Sequence, residues 1–282
     1  MSISILQEVS LPSDAAEQIR ALFKPFDFSA AMAGLLECQS PGWIFADHPT
    51  APTVAIASTA EGVFLTGRTD IPEVQDAVER FFKQELLTGK VLVKSPSSLY
   101  LSVAPSDWRK HLARFAPGHP VAPTPRYHYL CTAVVHDWRS HVPDAYAIRR
   151  VDHDLLKRAD IPDLLLHQFP VKRLWGSIDR ALASAVGFAA LEGEEVVAWC
   201  TPDCIGGDRI DFACATLPSH RRRGLAAATT SASVEAALRM GFHAAGWMCA
   251  TSNEASWRTA ERVGFIRMSS FDEYYFRTSA AR

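Results

Sequence analysis

The chain of 282 residues lacks several features that would fix its class at once. Its six cysteines (Cys38, Cys131, Cys200, Cys204, Cys214 and Cys249) contain no CxxC pair, and Cys200 and Cys204 have no matching His/Cys pair nearby. A structural metal is therefore not expected, and unpaired thiols point to a reducing cytoplasm. An excess of one charge is missing as well: 29 Lys and Arg face 31 Asp and Glu, a net charge of −2. That balance argues against binding duplex nucleic acid through overall charge. No apolar run reaches the roughly 18 residues of a membrane span. Residues 1–18 carry Glu8, Asp14 and Glu17 where a secretory leader would be basic and then apolar. There is no GxxxxGK[ST] phosphate loop and no three-glycine dinucleotide fingerprint.

What remains is ordinary globular composition, 48% hydrophobic and 21% charged, in a length that suits about two domains. Pro117, Gly118, Pro120, Pro123 and Pro125 crowd together and mark a loop or linker. We place the boundary near residue 137, giving an N-terminal α/β domain over 1–137 and a second domain over 138–282.

The spacing of apolar residues predicts helices over 13–23, with Ser13 as N-cap, and over 28–36. Short strands follow at 43–45, 54–57 and 63–65, then a helix over 72–87 with Pro72 in its first turn. Segments 91–93 and 99–103 read as extended, 106–115 as helical and 127–135 as extended. In the second half a strand is predicted at 146–151, then helical segments at 154–157 and about 172–184. A hairpin of 186–191 and 196–200 turns at Gly193. A strand over 209–217, a helix over 224–240 closed by Gly241, and a strand over 245–249 come next. The chain ends with a helix over 254–262 and strand structure over 265–276. This order describes a mixed, mostly antiparallel sheet flanked by helices.

The most informative stretch runs from Asp211 through Pro218, His220, Arg221, Arg222, Arg223, Gly224 and Leu225 to Ala226, from a strand through a turn into a helix start. The first turn of a helix leaves backbone N–H groups unpaired and carries partial positive charge. Gly224 and the small Ala226 and Ala227 let a diphosphate approach those groups, and the arginines add charge-assisted contacts.

Arg221, Gly224 and Ala226 match [R/Q]-x-x-G-x-[G/A], which resembles motif A of the GCN5-related N-acetyltransferase (GNAT) superfamily. Asn253, Ser256, Gly264 and Phe265 resemble motif B, N-x-x-[S/A] followed by a helix and Gly-Phe. The resemblance covers about residues 140–280. It implies an acetyl-CoA site, with the backbone of Arg222–Ala227 on the diphosphate, assisted by Arg221, and the Ala215, Thr216 and Leu217 backbone pairing with pantetheine. It further implies that the strand of 209–217 parts from that of 245–249 to admit the thioester, and that Asn253 and Ser256 hold the pantetheine arm. A narrower resemblance, through Asp211–Ala226, Gly246-Trp247-Met248-Cys249 and Glu273-Tyr274-Tyr275, points to the subgroup containing the zwittermicin A self-resistance acetyltransferase.

Transfer by direct attack needs an oriented amine, a base and a proton for the leaving thiolate. Asp211 is the candidate base. Where many family members carry a Tyr in the motif B helix this chain has Ala260, so the acid is sought in Tyr274 on the last strand. The first half follows the same order of elements, which suggests a degenerate copy. Its corresponding turn, Gly67 to Pro72, lacks a second glycine and places Asp70 where a phosphate would sit, so no CoA is expected there. The leading expectation is an acetyl-CoA-dependent N-acetyltransferase for a small-molecule primary amine, with no metal. A non-catalytic acyl-CoA sensor and a protein N-acetyltransferase are the alternatives, and a homodimer stays open.

Overall fold

Short β-branched and aromatic runs separated by proline and glycine turns give the chain twelve strands among the described residues. The computed structural model describes residues 6–12, 15–93 and 95–281, less the side chains at 167, 168 and 281. Ser13, expected to cap the first helix, lies outside the described residues. The chain divides into two units, Met1–Pro125 with Asp272–Arg282, and Arg126–Phe271. The division thus falls twelve residues before the expected 137, and the last eleven residues group with the first unit.

The first unit contains β1 (Gln7–Glu8), α1 (Ala16–Leu22), α2 (Ala30–Leu36), β2 (Trp43–Ala46), β3 (Val54–Ser58), β4 (Val63–Gly67), α3 (Pro72–Phe81), β5 (Ser98–Ala104) and α4 (Leu112–Phe115). Strands β1 to β4 pair antiparallel in sequence, while β4 and β5 run parallel from Val63 opposite Leu101 to Thr66 opposite Ala104. A parallel pair needs a crossover, and α3 supplies it. Its Val74, Ala77, Val78 and Phe81 recur at helical spacing and are buried. They join a core built around Ile56, Leu65, Phe82, Trp108 and Phe115. The expected extension of this helix to Leu87 takes the form of a wider π-helical turn over Phe82–Leu86. Residues 91–93, read as extended, form no strand.

The second unit follows with β6 (Pro123–Cys131), whose paired residues are 126–131, and then β7 (Tyr146–Arg150), α5 (His153–Leu156), α6 (Asp163–Gln168), α7 (Val171–Trp175) and α8 (Ile178–Ser184). The single helix expected over 172–184 is broken at Gly176, which takes a left-handed φ of 76°; Ser177 then caps α8 by accepting from Arg180 N–H. Helix α6 carried no sequence signal, because its N-cap is Pro162 and offers no side-chain acceptor. Next come β8 (Phe188–Glu192), β9 (Glu195–Gly206), β10 (Arg209–Thr216), α9 (Leu225–Arg239), β11 (Ala244–Ala250), α10 (Glu254–Val263) and β12 (Ile266–Arg277). Strands β7 to β10 form an antiparallel meander, β10 and β11 are parallel across α9, and β11 pairs antiparallel with β6. The mixed, mostly antiparallel sheet flanked by helices agrees with the sequence reading.

The end of β12 belongs to the first unit, where Tyr274 to Arg277 pair antiparallel with Leu101 to Ser98. Each parallel pair is therefore flanked by an antiparallel strand drawn from the other half of the sequence: β6 beside β11, and β12 beside β5.

Candidate active site

The two parallel pairs differ in one respect that bears on chemistry. In the first unit β4 and β5 stay in register to Thr66. In the second, β10 and β11 pair only at Arg209, Ile210 and Asp211, opposite Ala244, Ala245 and Gly246, and part beyond that point. A bulge between Asp211 and Phe212 marks the place on the β9 side, and a bulge bends the strand that carries it. The gap expected between these strands is present.

A cavity of about 690 Å³ opens beside the parting, lined by β10, the loop to α9, the first turn of α9 and one face of α10. Ten of the residues predicted for a cofactor line it: Ala215, Thr216, Arg221, Arg222, Gly224, Leu225, Ala226, Ala227, Asn253 and Ser256. Gly224 is the N-cap of α9, with φ 82°, and lends no side chain to the N–H groups of the first turn. Arg222 also adopts a left-handed φ of 63°. Left-handed residues within such a turn bend consecutive N–H groups into an anion-binding concavity, and the fifteen-residue α9 adds the positive end of its dipole. Arg221 is steadied by its Nε–H donating to the Thr216 carbonyl at 3.3 Å.

Asn253 caps α10 by accepting from Ser256 N–H at 3.2 Å, and the Trp247 indole N–H donates to the Ser256 hydroxyl at 3.0 Å. These two bonds fix the first turn of α10 against β11. Cys214 lines the cavity too, and burial pushes its thiol up to about 12.

Two predicted cofactor residues lie elsewhere. Leu217 packs against the cluster of Tyr146, Val197, Ala198 and Leu225, and its N–H donates to the Val197 carbonyl. Arg223 turns from the cavity to donate to the Tyr146 hydroxyl and to the Ser219 carbonyl. Adjacent arginines on a turn point to different sides, and the buried phenol of Tyr146 captures this one. His220 is buried and hydrogen-bonded to Tyr146 at 3.1 Å, while it also lines the cavity.

Asp211 is buried at the last paired position of β10, directly opposite Gly246. Neither Asp211 nor Tyr274 is among the residues that line the cavity. Asp211 stands on β10 three residues before the lining residue Cys214, and Tyr274 lies on β12. Tyr274 is buried in the core of the first unit, and burial raises its pKa. Ala260, in the place of the family's frequent Tyr, is fully buried within α10. Sequence reasoning missed Arg258 and Arg262, which line the cavity with Ala255 and Thr259. Positions 255, 258, 259 and 262 share one helical face, a stripe that the solvated side of an amphipathic helix shows equally.

A helix start with no side-chain cap, facing a cavity beside a parallel strand pair that parts, is a geometry that suits a phosphate-bearing ligand. The GNAT acetyltransferase family matches residues 20–274. The chain belongs to the GNAT acetyltransferase family, a class of enzymes that uses acetyl-CoA as co-substrate. A Bacillus subtilis (strain 168) protein described as the uncharacterized N-acetyltransferase YdfB is 22% identical over 279 residues, 97% of this chain and 99% of that protein. A GCN5-related N-acetyltransferase-like protein from Streptococcus suis 89/1591 superposes with a TM-score of 0.70 at 18% identity, over 94% of this chain and 98% of that one. A tandem GNAT protein from the clavulanic acid biosynthesis pathway gives 0.55 at 11% identity, over 96% and 98%.

Proposed function

We propose that this acetyltransferase moves the acetyl group of acetyl-CoA directly onto the primary amine of a small molecule. The observation that carries the reading is the parting of β10 from β11 after Asp211 and Gly246, beside a cavity lined by an uncapped helix start. In this reading the N–H groups of Arg222 to Ala227 hold the diphosphate, and the edge of β10 at Ala215 and Thr216, which line the cavity, pairs with pantetheine. Asn253 and Ser256 steady the arm near the thioester.

The amine lone pair attacks the thioester carbonyl, the carbon–sulfur bond breaks, and Asp211 accepts the ammonium proton directly or through one water. With Ala260 on α10 no phenol is offered there, and water protonates the leaving thiolate. The narrower resemblance through Asp211–Ala226 favours a small metabolite over a protein acceptor, and the six free cysteines suit a cytoplasmic enzyme. Among the described residues no helix is long and apolar enough to cross a membrane.

The first unit, in this reading, is a copy of the same fold without a cofactor. Its β4 and β5 do not part before Thr66, and Arg68 donates two hydrogen bonds to Asp70 just ahead of α3. The full-length similarity to a tandem GNAT protein supports two copies.

Thiol release from acetyl-CoA across a panel of small amines and peptides tests the proposal. Turnover with a small amine and none with peptides is expected. Turnover with peptides alone would make it a protein acetyltransferase. CoA binding without turnover would make it an acyl-CoA sensor, a reading that Ala260 favours.

A further inference from the structure

The diphosphate reading uses the arginines of one wall of the cavity and leaves those of the other unused. Arg221 and Arg222 stand on the loop before α9, whereas Arg258 and Arg262 stand on α10, one helical turn apart. Among the described residues no Asp or Glu lines the cavity. Four guanidinium groups and the positive end of α9 exceed what a diphosphate of about two negative charges requires.

Arg258 and Arg262 are also available to a ligand. Arg258 is mostly exposed; its one ion-pair partner among the described residues is Glu254, an exposed i,i+4 neighbour at 2.5 Å, and its guanidinium lies 5.5 Å from the centre of the Trp257 ring. An exposed pair of this kind is worth about 0–1 kcal/mol, so a doubly charged phosphate displaces it readily. Among the described residues Arg262 has no carboxylate within ion-pair distance, and its charge is felt instead at His136, whose pKa it helps burial to lower. A cation beside a second positive centre gains from an incoming anion. The stripe of Ala255, Arg258, Thr259 and Arg262 combines a small residue, a hydroxyl and two forked donors, the set that fits a phosphate monoester.

We infer that Arg258 and Arg262 hold the 3′-phosphate of coenzyme A and so select CoA over its 3′-dephospho form. The inference rests on the cofactor reading above. CoA carries a diphosphate and a phosphate monoester, the latter with close to two further charges at pH 7. The two arginine pairs divide between these two groups.

The test is isothermal titration of the full chain with CoA and with 3′-dephospho-CoA, for the wild type and for the double variants Arg258→Gln/Arg262→Gln and Arg258→Lys/Arg262→Lys. The wild type is expected to bind CoA about tenfold more tightly than dephospho-CoA. The glutamine variant is expected to bring that ratio close to one while the dephospho-CoA affinity stays within about twofold. The lysine variant, which keeps the charge, restores part of the ratio. Equal affinities in the wild type, or an equal loss for both ligands in the glutamine variant, would overturn the inference and leave the cofactor reading standing. Failure of both ligands to bind the wild type would overturn the cofactor reading itself, and the inference with it.

Discussion

The carboxylate of Asp211 occupies the space beside Gly246 on the neighbouring parallel strand: a Cβ at position 246 would lie 1.9 Å from its Oδ1. The glycine is therefore required by the aspartate and not by backbone conformation. Gly246→Ala must displace the proposed base, costing about 1–3 kcal/mol of stability through overpacking. Turnover should fall by on the order of a hundredfold, as for an angstrom-scale misplacement. Steady-state kinetics with thermal melting measures both, and unchanged turnover in a correctly folded Gly246→Ala protein would remove Asp211 from the mechanism.

Arg222 separates stability from binding. Its left-handed backbone costs a non-glycine residue about 1–2 kcal/mol, and glycine adopts that conformation without the penalty. Arg222→Gly is expected to raise the melting temperature while weakening CoA through the lost guanidinium. Melting and titration of the same sample would show the two effects in opposite directions.

Cys214 lies in the cavity wall but has the wrong protonation state for a nucleophile. With burial holding its pKa up at about 12, the thiolate fraction at pH 8 is on the order of one in ten thousand. Cys214→Ala should therefore retain acetyl transfer, with sequential and not ping-pong kinetics. At pH 8 iodoacetamide should label exposed Cys38 well ahead of Cys214.

Tyr129 predicts how stability falls at high pH. Burial, aided by Glu261 accepting the phenol's hydrogen bond at 3.1 Å, pushes it up to about 12. An unfolded tyrosine ionises near 10, so between about pH 10 and 12 the unfolded chain has released a proton that the folded chain keeps. The stabilisation is complete below pH 10 and is lost as pH rises through 12. Urea melts across this window should show that loss in the wild type and a flatter dependence in Tyr129→Phe.

The parts of the fold and site that were legible share a physical cause. Gly224 and Asn253 announce themselves because a left-handed N-cap and a side-chain acceptor are demands on residue type. The ordering of strand, α9, strand and α10 follows from periodicity and from the caps at Gly241 and Gly264. Less legible was what depends on contacts distant in sequence. Arg223 is indistinguishable from Arg222 in the chain, and Tyr146, 77 positions away, helps to draw it off. Tyr274 reads as part of the second half until its pairing with Leu101 puts it in the core of the first unit. Arg258 and Arg262 resemble the solvated face of an amphipathic helix, and nothing local tells a cavity wall from open water.

The central claim is that the uncapped start of α9 holds the CoA diphosphate, and Gly224→Glu addresses it most directly. A Cβ at 224 meets only the His141 carbonyl at 3.8 Å, so there is room for the side chain; the left-handed φ of 82° costs a non-glycine about 1–2 kcal/mol, and the substitution adds a carboxylate where the diphosphate would sit. Thermal melting with and without millimolar CoA is the measurement. We predict a clear upward shift for the wild type and none for Gly224→Glu. A wild type that CoA leaves unshifted, or a folded Gly224→Glu protein stabilised as fully as the wild type, would contradict the account.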